Sequence, residues 1–80
     1  MTYPDRIDRQ WIASLTDAEL QHAESELRAR FAEQETLEKQ RRGAHYDLLR
    51  GPEALTAAWL RWSMVSNATR ARGLSVRYRN

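Results

Sequence analysis

The start of a long helix is encoded at residues 15–20, which read LTDAEL. Thr16 and Glu19 have the spacing of a capping box, in which the hydroxyl and the carboxylate each accept a hydrogen bond from a backbone N–H of the first turn. Leu15 precedes this pair and Leu20 follows it, which predicts a hydrophobic contact between the two leucines across the start of the helix. The pattern therefore predicts that a helix begins at Asp17.

A helical pattern continues downstream to about residue 50. Apolar residues recur at helical spacing from Leu20 to Leu48. We expect one helix over residues 17–50 that either continues through Gly43 or kinks there, because glycine costs about 1 kcal/mol inside a helix. Glutamate precedes a basic residue by four positions, the order that stabilises a helix by about 0.2–0.5 kcal/mol per pair, at Glu24/Arg28, Glu26/Arg30, Glu35/Lys39 and Glu38/Arg42.

A second long helix is predicted over residues 52–72, after the break at Gly51-Pro52. Proline disfavours helical geometry in the residue before it and suits the first position of a new helix. A helix that is apolar on most of its circumference must be covered on several sides. This helix has two apolar stripes: the first contains Leu55, Ala58, Trp59, Trp62, Val65 and Thr69, and the second contains Ala57, Leu60, Met64, Ala68 and Ala71.

Shorter elements are predicted on either side of the two long helices. Residues 4–14 place Ile7, Trp11 and Ile12 on one face of a short helix. Residues 74–79, LSVRYR, alternate apolar and polar side chains, which predicts a short strand or an extended tail.

These elements predict an all-α fold, with one small helical domain over residues 1–80. At ~1.5 Å per residue the two long helices would measure about 50 and 31 Å, so a hairpin of the two leaves part of the longer helix unpaired. A homodimer with a four-helix core and the short helices packed outside would cover both apolar stripes. A compact three-helix monomer is the alternative.

Composition excludes several classes of protein and site. The chain has 80 residues and no cysteine, so it has no disulfide and no cysteine-based metal site. No stretch approaches the ~18 consecutive apolar residues of a membrane span, and residues 1–5 lack the apolar region of a signal peptide. We expect a cytoplasmic protein without a cofactor.

One metal-like pattern is present on the first long helix. Glu19, His22 and Glu26 include the Glu-x-x-His spacing of di-iron bundles. Such sites need further carboxylates from the other helices, and residues 52–72 offer only Glu53, so a solvated helix face is favoured over a metal site. The sequence also lacks a nucleophile motif and a glycine-rich phosphate loop, which predicts that the protein is not an enzyme.

Charge is divided unevenly along the chain. Residues 1–38 have a net charge of −5 and residues 39–80 have a net charge of +7. Arginine supplies twelve of the thirteen basic residues, and its planar guanidinium fits carboxylates and phosphates. The candidate partner-binding residues form two basic groups: Lys39, Arg41 and Arg42 in the first, and Arg70, Arg72, Arg77, Tyr78 and Arg79 in the second.

Two functions are compatible with this sequence. In the first, the protein is a non-enzymatic adaptor or inhibitor that binds an acidic protein surface. In the second, it is an accessory protein that binds nucleic acid through its arginine-rich C-terminal region. The first is favoured because no nucleic-acid-binding motif is present and the acidic half of the chain would repel phosphates.

Overall fold

The computed structural model describes residues 3–4, 6–48 and 51–74. Within these ranges the chain contains no strand, so the all-α prediction is confirmed for this part of it. None of the helices there is long and apolar enough to cross a membrane. The predicted tail, residues 74–79, lies outside the described residues except for Leu74, which is neither helix nor strand. The helical elements are α1 (Arg9–Ala13), α2 (Asp17–Arg42), a 3₁₀ turn (Gly43–His45) and α3 (Glu53–Ala71).

The start of α2 is the predicted capping box. The backbone N–H of Thr16 donates a hydrogen bond to Glu19 Oε1 at 2.9 Å, and the backbone N–H of Glu19 donates to Thr16 Oγ1 at 3.1 Å. The backbone hydrogen bond from Thr16 lowers the pKa of Glu19. These bonds satisfy N–H groups that have no partner within the first turn of a helix.

The predicted end of this helix, near residue 50, is wrong, because α2 ends at Arg42. Gly43 has a φ of 55° and a ψ of −122°, a conformation that only glycine adopts readily. After the 3₁₀ turn, the Tyr46 hydroxyl donates a hydrogen bond to Glu35 Oε2 at 3.0 Å. The chain therefore turns back along α2 after Gly43 instead of extending it.

The helix predicted over residues 4–14 is also too long. α1 has five residues because Asp8 caps its start, with Oδ1 accepting a hydrogen bond from the N–H of Trp11 at 2.8 Å. The described residues before α1, residues 3–4 and 6–8, are not helical. We call them the N-terminal segment. Tyr3 and Ile7 of this segment pack onto the apolar core. The helical periodicity of the sequence did not show that non-helical residues would cover the core here.

α2 and α3 pack against each other in antiparallel orientation. The start of α2 lies beside the end of α3, where Arg72 donates a hydrogen bond to Asp17. Midway along the pair, the ring of Phe31 stacks on Trp62 with centroids 5.5 Å apart. The indole N–H of Trp62 also donates to Glu24 Oε1 at 3.0 Å, which gives a partner to a carboxylate buried between the helices.

The apolar core lies where the N-terminal segment meets both long helices. Burying one large aliphatic side chain stabilises a fold by about 1.5–3 kcal/mol. The N-terminal segment, α2 and α3 each bury at least one such side chain here, so each contributes substantially to the stability of the fold. Tyr3, Trp11 and other partly buried side chains surround this core. Its buried members are Ile7 from the N-terminal segment, Leu20, Ala23 and Leu27 from α2, and Val65 from α3.

The two ends of the helical pair differ in the number of segments that build them. The closed end, defined as residues 3–4, 6–31 and 62–74, combines the N-terminal segment and α1 with both long helices. The open end, residues 32–48 and 51–61, is built mainly from α2, α3 and the linker between them. The N-terminal segment reaches it at a cavity that Ala57, Leu60 and Arg61 share with Arg6 and Ile7.

Ion pairs on α2 agree with the predicted helix pattern. The expected pairs include Glu26–Arg30, Glu35–Lys39 and Glu38–Arg42, with N–O distances of 3.3, 3.5 and 3.0 Å. The glutamate of the fourth pair, Glu24, is buried and accepts the hydrogen bond from Trp62 described above.

Candidate protein-interaction site

The second apolar stripe of α3 is largely uncovered. Leu60 is 50% exposed and Met64 is 37% exposed, whereas Leu55 and Val65 on the first stripe are buried. The two stripes lie on different faces of the helix: Val65 of the first belongs to the buried core, and Ala68 of the second packs against that core. Isolated exposed apolar side chains are ordinary, but neighbouring ones on a single stripe form a patch that indicates an interaction site.

Two adjoining cavities follow this stripe along α3. The smaller, of about 220 Å³, lies beside the N-terminal segment, and the larger, of about 610 Å³, lies beside α1. Met64 lines both cavities, so the two are continuous. We call them together the α3 groove; one wall is the second stripe (Ala57, Leu60, Met64, Ala68 and Ala71) and the other includes Ile7 and Ile12.

The charged residues of the α3 groove are all arginines. Arg6 and Arg61 line the smaller cavity, and Arg9 and Arg72 line the larger one. Among the described residues, no aspartate or glutamate lines either cavity. An apolar surface with a rim of one charge sign attracts ligands of the opposite sign. The α3 groove is therefore suited to an acidic amphipathic ligand.

Arg72 is also used within the chain. Its guanidinium donates hydrogen bonds to the carbonyl oxygens of Ile12 and Leu15, both at 2.9 Å, and to Asp17 Oδ1 at 3.1 Å. The sequence marked Arg72 as a partner-binding residue. The structure shows that it joins the end of α3 to the segment between α1 and α2, so its charge reaches the groove while its hydrogen bonds stay internal.

The first predicted basic group lies at the open end, away from the α3 groove. Lys39 Nζ lies 3.5 Å from Glu35 Oε1. Arg41 and Arg42 approach the two carboxylate oxygens of Glu38 at 3.2 and 3.0 Å. Glu38 is buried, so these arginines balance a charge that would otherwise be costly to remove from water.

The second predicted basic group is divided. Arg70 is exposed and lies outside the α3 groove, in a separate cavity of about 320 Å³ that Trp59 and Trp62 also line. The remaining members of the group, Arg77, Tyr78 and Arg79, lie outside the described residues.

The two basic groups do not form one surface. Arg72 lies beside Asp17 at the start of α2, and Arg41 lies near its end. That stretch of α2 spans roughly 36 Å at ~1.5 Å per residue. A compact ligand could therefore contact only one of the two groups.

Sequence reasoning missed three arginines of the groove: Arg6, Arg9 and Arg61. Arg61 directly follows Leu60, so helical periodicity places it at the edge of the second stripe. Arg6 and Arg9 reach the groove only because the N-terminal segment and α1 pack against α3, and no local pattern in the sequence shows this.

The residues of the metal-like pattern have other partners. Glu19 belongs to the capping box, and Glu26 Oε2 accepts a hydrogen bond from the Tyr3 hydroxyl at 2.6 Å and lies 3.0 Å from His22 Nε2. Burial, together with the hydrogen bond to Glu26, raises the pKa of Tyr3 to about 12. The same hydrogen bond lowers the pKa of Glu26. Across the described ranges, no group of three or more His, Cys, Asp or Glu residues could hold a metal ion.

Comparison of the chain with protein-family models, with curated proteins and with solved structures finds no match. The functional argument therefore depends on the geometry and charge of this chain. The α3 groove is the feature that carries it, because it combines an exposed apolar stripe with a rim of like charges.

Proposed function

We propose that this protein is a small, non-enzymatic adaptor or inhibitor that acts by protein–protein contact through the α3 groove. The observation that carries the proposal is the exposure of Leu60 and Met64, neighbours on the second stripe of α3. Exposed apolar area on a partner-facing surface contributes about 25 cal/mol per Å² when it is removed from water. A partner that covers this stripe would gain that contribution.

The experiment that tests this function is capture of partners from native lysate, with and without nuclease. The test variant is Leu60→Gln, which keeps the side chain uncharged but replaces apolar area with a polar amide. The matched control is Leu37→Gln, because Leu37 is the equally exposed leucine of the open end. We expect Leu60→Gln to lose nuclease-resistant partners and Leu37→Gln to keep them. Partners that remain bound to Leu60→Gln would contradict the proposal.

The homodimer predicted from the sequence is a second proposal for the same surface. Two copies that pair through their second stripes would cover both without any other protein. Light scattering at micromolar concentration should then give about twice 9.4 kDa. A monomer mass throughout a concentration series would exclude this proposal and leave the groove open to a different partner.

Nucleic-acid binding is the alternative function, and the cavity beside Arg70 favours it. Trp59 and Trp62 line that cavity with Arg70, and aromatic side chains next to a cation can stack on bases and hold phosphates. If this is the function, the affinity for generic nucleic acid should fall with salt, with a log–log slope of about −0.7 to −0.9 per phosphate contact. Arg70→Gln should reduce that slope by about one contact, and Leu60→Gln should leave it unchanged.

A further inference from the structure

The α3 groove has the shape and charge to hold one kind of occupant. We infer that this occupant is an acidic amphipathic helix of a partner protein, with apolar side chains facing α3 and carboxylates at its edges. The inference rests on the proposed function, since it names the chemistry of the partner that the groove would bind.

The second stripe, which forms the apolar floor of the groove, matches a helix in length and in surface shape. The second stripe runs from Ala57 to Ala71, roughly 21 Å or about four helical turns at ~1.5 Å per residue. Alanines at both ends allow the backbone of a second helix to approach closely, and Leu60 and Met64 supply apolar area at the centre. Methionine adapts its shape to a ligand more easily than a branched side chain does. A helix laid in such a groove anchors through residues at i, i+3, i+4 and i+7.

The rim of the groove selects the charge of that helix. Arg6 and Arg9 line the groove from the N-terminal segment and α1, and Arg61 lines it from α3. Arg72 also lines the larger cavity and pairs with Asp17 at 3.1 Å. Arg6 and Arg9 are exposed, so a bound carboxylate can reach them without a change in the fold. Complementary charges at the edge of an interface accelerate association and exclude partners of the wrong sign.

Two other occupants fit the α3 groove less well: a second copy of this chain and a nucleic acid. A second copy of this chain, paired stripe to stripe, would bring two sets of arginines together, and like charges across an interface are unfavourable. A nucleic acid would bind the arginines through phosphates but has no use for the apolar surface of Leu60 and Met64. An acidic helix uses both the floor and the rim.

Two matched synthetic peptides test the inference. Each has about 15 residues, the length needed to span the groove at ~1.5 Å per residue, with leucines at alternating spacings of three and four on an alanine background. One carries glutamate beside the leucines, and the other carries lysine at the same positions. Binding is measured by fluorescence anisotropy at low and high salt, using wild type, Leu60→Gln, Arg9→Glu and Lys39→Glu. Circular dichroism shows that each variant is folded.

We expect the glutamate peptide to bind wild type at least tenfold more tightly than the lysine peptide at low salt, with a smaller difference at high salt. Leu60→Gln should weaken the glutamate peptide about tenfold, because it removes part of the floor. Arg9→Glu should weaken it about threefold to fivefold, the size of an exposed charge contact. Lys39→Glu, which makes the same charge change at the open end, should leave binding unchanged.

Three results would overturn the inference. Equal affinity for the two peptides, or preference for lysine, would show that the rim does not select acidic ligands. A doubled molecular mass that Leu60→Gln abolishes would place a second copy in the groove. If nucleic acid competes with the peptide, and if its binding depends on Arg9 but not on Leu60, the occupant of the groove is a nucleic acid bound through its phosphates.

The proposed function and this inference can fail separately. If Leu60→Gln loses its lysate partners while the two peptides bind alike, protein contact through the groove stands and the acidic helix is excluded. If Leu60→Gln keeps every partner, the proposed function itself is excluded, whatever the peptides show.

Discussion

Two leucines of α2 show the difference between the ends of this molecule. Leu20, at the closed end, has no exposed surface, and Leu37, at the open end, is 55% exposed. They belong to the same helix, but the 17 positions between them place Leu37 about 100° around the helix from Leu20, whereas Glu38 lies in the direction of Leu20 and is buried. Leu20 is buried because Ile7 of the N-terminal segment covers the space between the long helices there. The difference teaches that burial on α2 depends on the face of the helix as well as on the segments that pack there, because at the open end Leu55 of α3 and Glu38 of α2 are buried.

The polar contacts differ between the ends in the same way. The closed end contains bonds between residues far apart in sequence, such as Tyr3–Glu26 and Arg72–Ile12. At the open end, the ion pairs of Glu35 and Glu38 join residues three or four apart on α2, as in Glu38–Arg41. Local pairs stabilise a helix wherever it lies, whereas distant pairs stabilise one particular packing of the chain.

The largest expected effect compares the two leucines directly. Leu20→Ala should destabilise the protein by about 2–5 kcal/mol, because it leaves a cavity in a fully buried site. Leu37→Ala should change the free energy of unfolding by no more than about 0.5 kcal/mol. Denaturant unfolding followed by circular dichroism measures both. A similar loss from the two substitutions would mean that the open end is covered in solution, as a homodimer would require.

The next effect concerns the hydrogen bonds that hold α1 to the end of α3. Arg72→Gln should lower the free energy of unfolding by about 1.5–3 kcal/mol, the usual value for hydrogen bonds to a charged group. We expect a value toward the lower end of this range because the side chain is partly exposed. Arg70→Gln is the control two residues away, where the side chain is exposed and lies outside the groove. Its unfolding midpoint should match wild type. Equal midpoints for both variants would contradict the role given to Arg72.

A smaller effect is expected at the start of α2. Thr16→Ala removes the acceptor for the Glu19 N–H and should cost about 1 kcal/mol. Thr36→Ala is the matched control, because the Thr36 hydroxyl bonds to the Ala32 carbonyl within the helix, a contact that slightly destabilises helices. Thermal unfolding should show a lower midpoint for Thr16→Ala and an unchanged or higher one for Thr36→Ala.

The smallest effect appears only at extreme pH. Because the pKa of Tyr3 is raised from 10 to about 12, its stabilising contribution is complete below pH 10 and is lost as pH rises through 12. Because the pKa of Glu26 is lowered, its contribution is present above about 4.5 and is lost as pH falls below that value. Tyr3→Phe should remove the part of the alkaline dependence that comes from Tyr3, and Tyr46, whose pKa is also raised by burial and by its hydrogen bond to Glu35, should retain its own part. Parallel stability–pH curves for the variant and wild type would show that this bond contributes nothing.

Local signals in the sequence predicted much of the fold. The capping box places the start of α2 correctly, and Gly51-Pro52 with Gly73 places α3 within one residue at each end. The end of α2 was missed because the apolar periodicity continues to Leu48. Periodicity does not reveal that Gly43 takes a positive φ.

The candidate site was predicted only in part. The second stripe of α3 was visible as a helical pattern. The arginines were assigned by their density in the sequence, which favoured the C-terminal region. Arg6 and Arg9 belong to the acidic half of the chain, and only the packing of the N-terminal segment brings them beside Met64.

The hydrogen bonds of Arg72 also have a consequence for the order in which the chain folds. Arg72 and Ile12 are 60 positions apart in sequence. Joining them in an unfolded chain costs roughly 2.4 kcal/mol more loop entropy than joining residues four apart, at ~0.6 kcal/mol for each doubling of the loop. We expect the contact to become favourable only after α2 and α3 have paired and brought its partners together, and so to form after the folding barrier. Its loss should therefore accelerate unfolding and leave the folding rate nearly unchanged, which makes Arg72 a determinant of the lifetime of the native state.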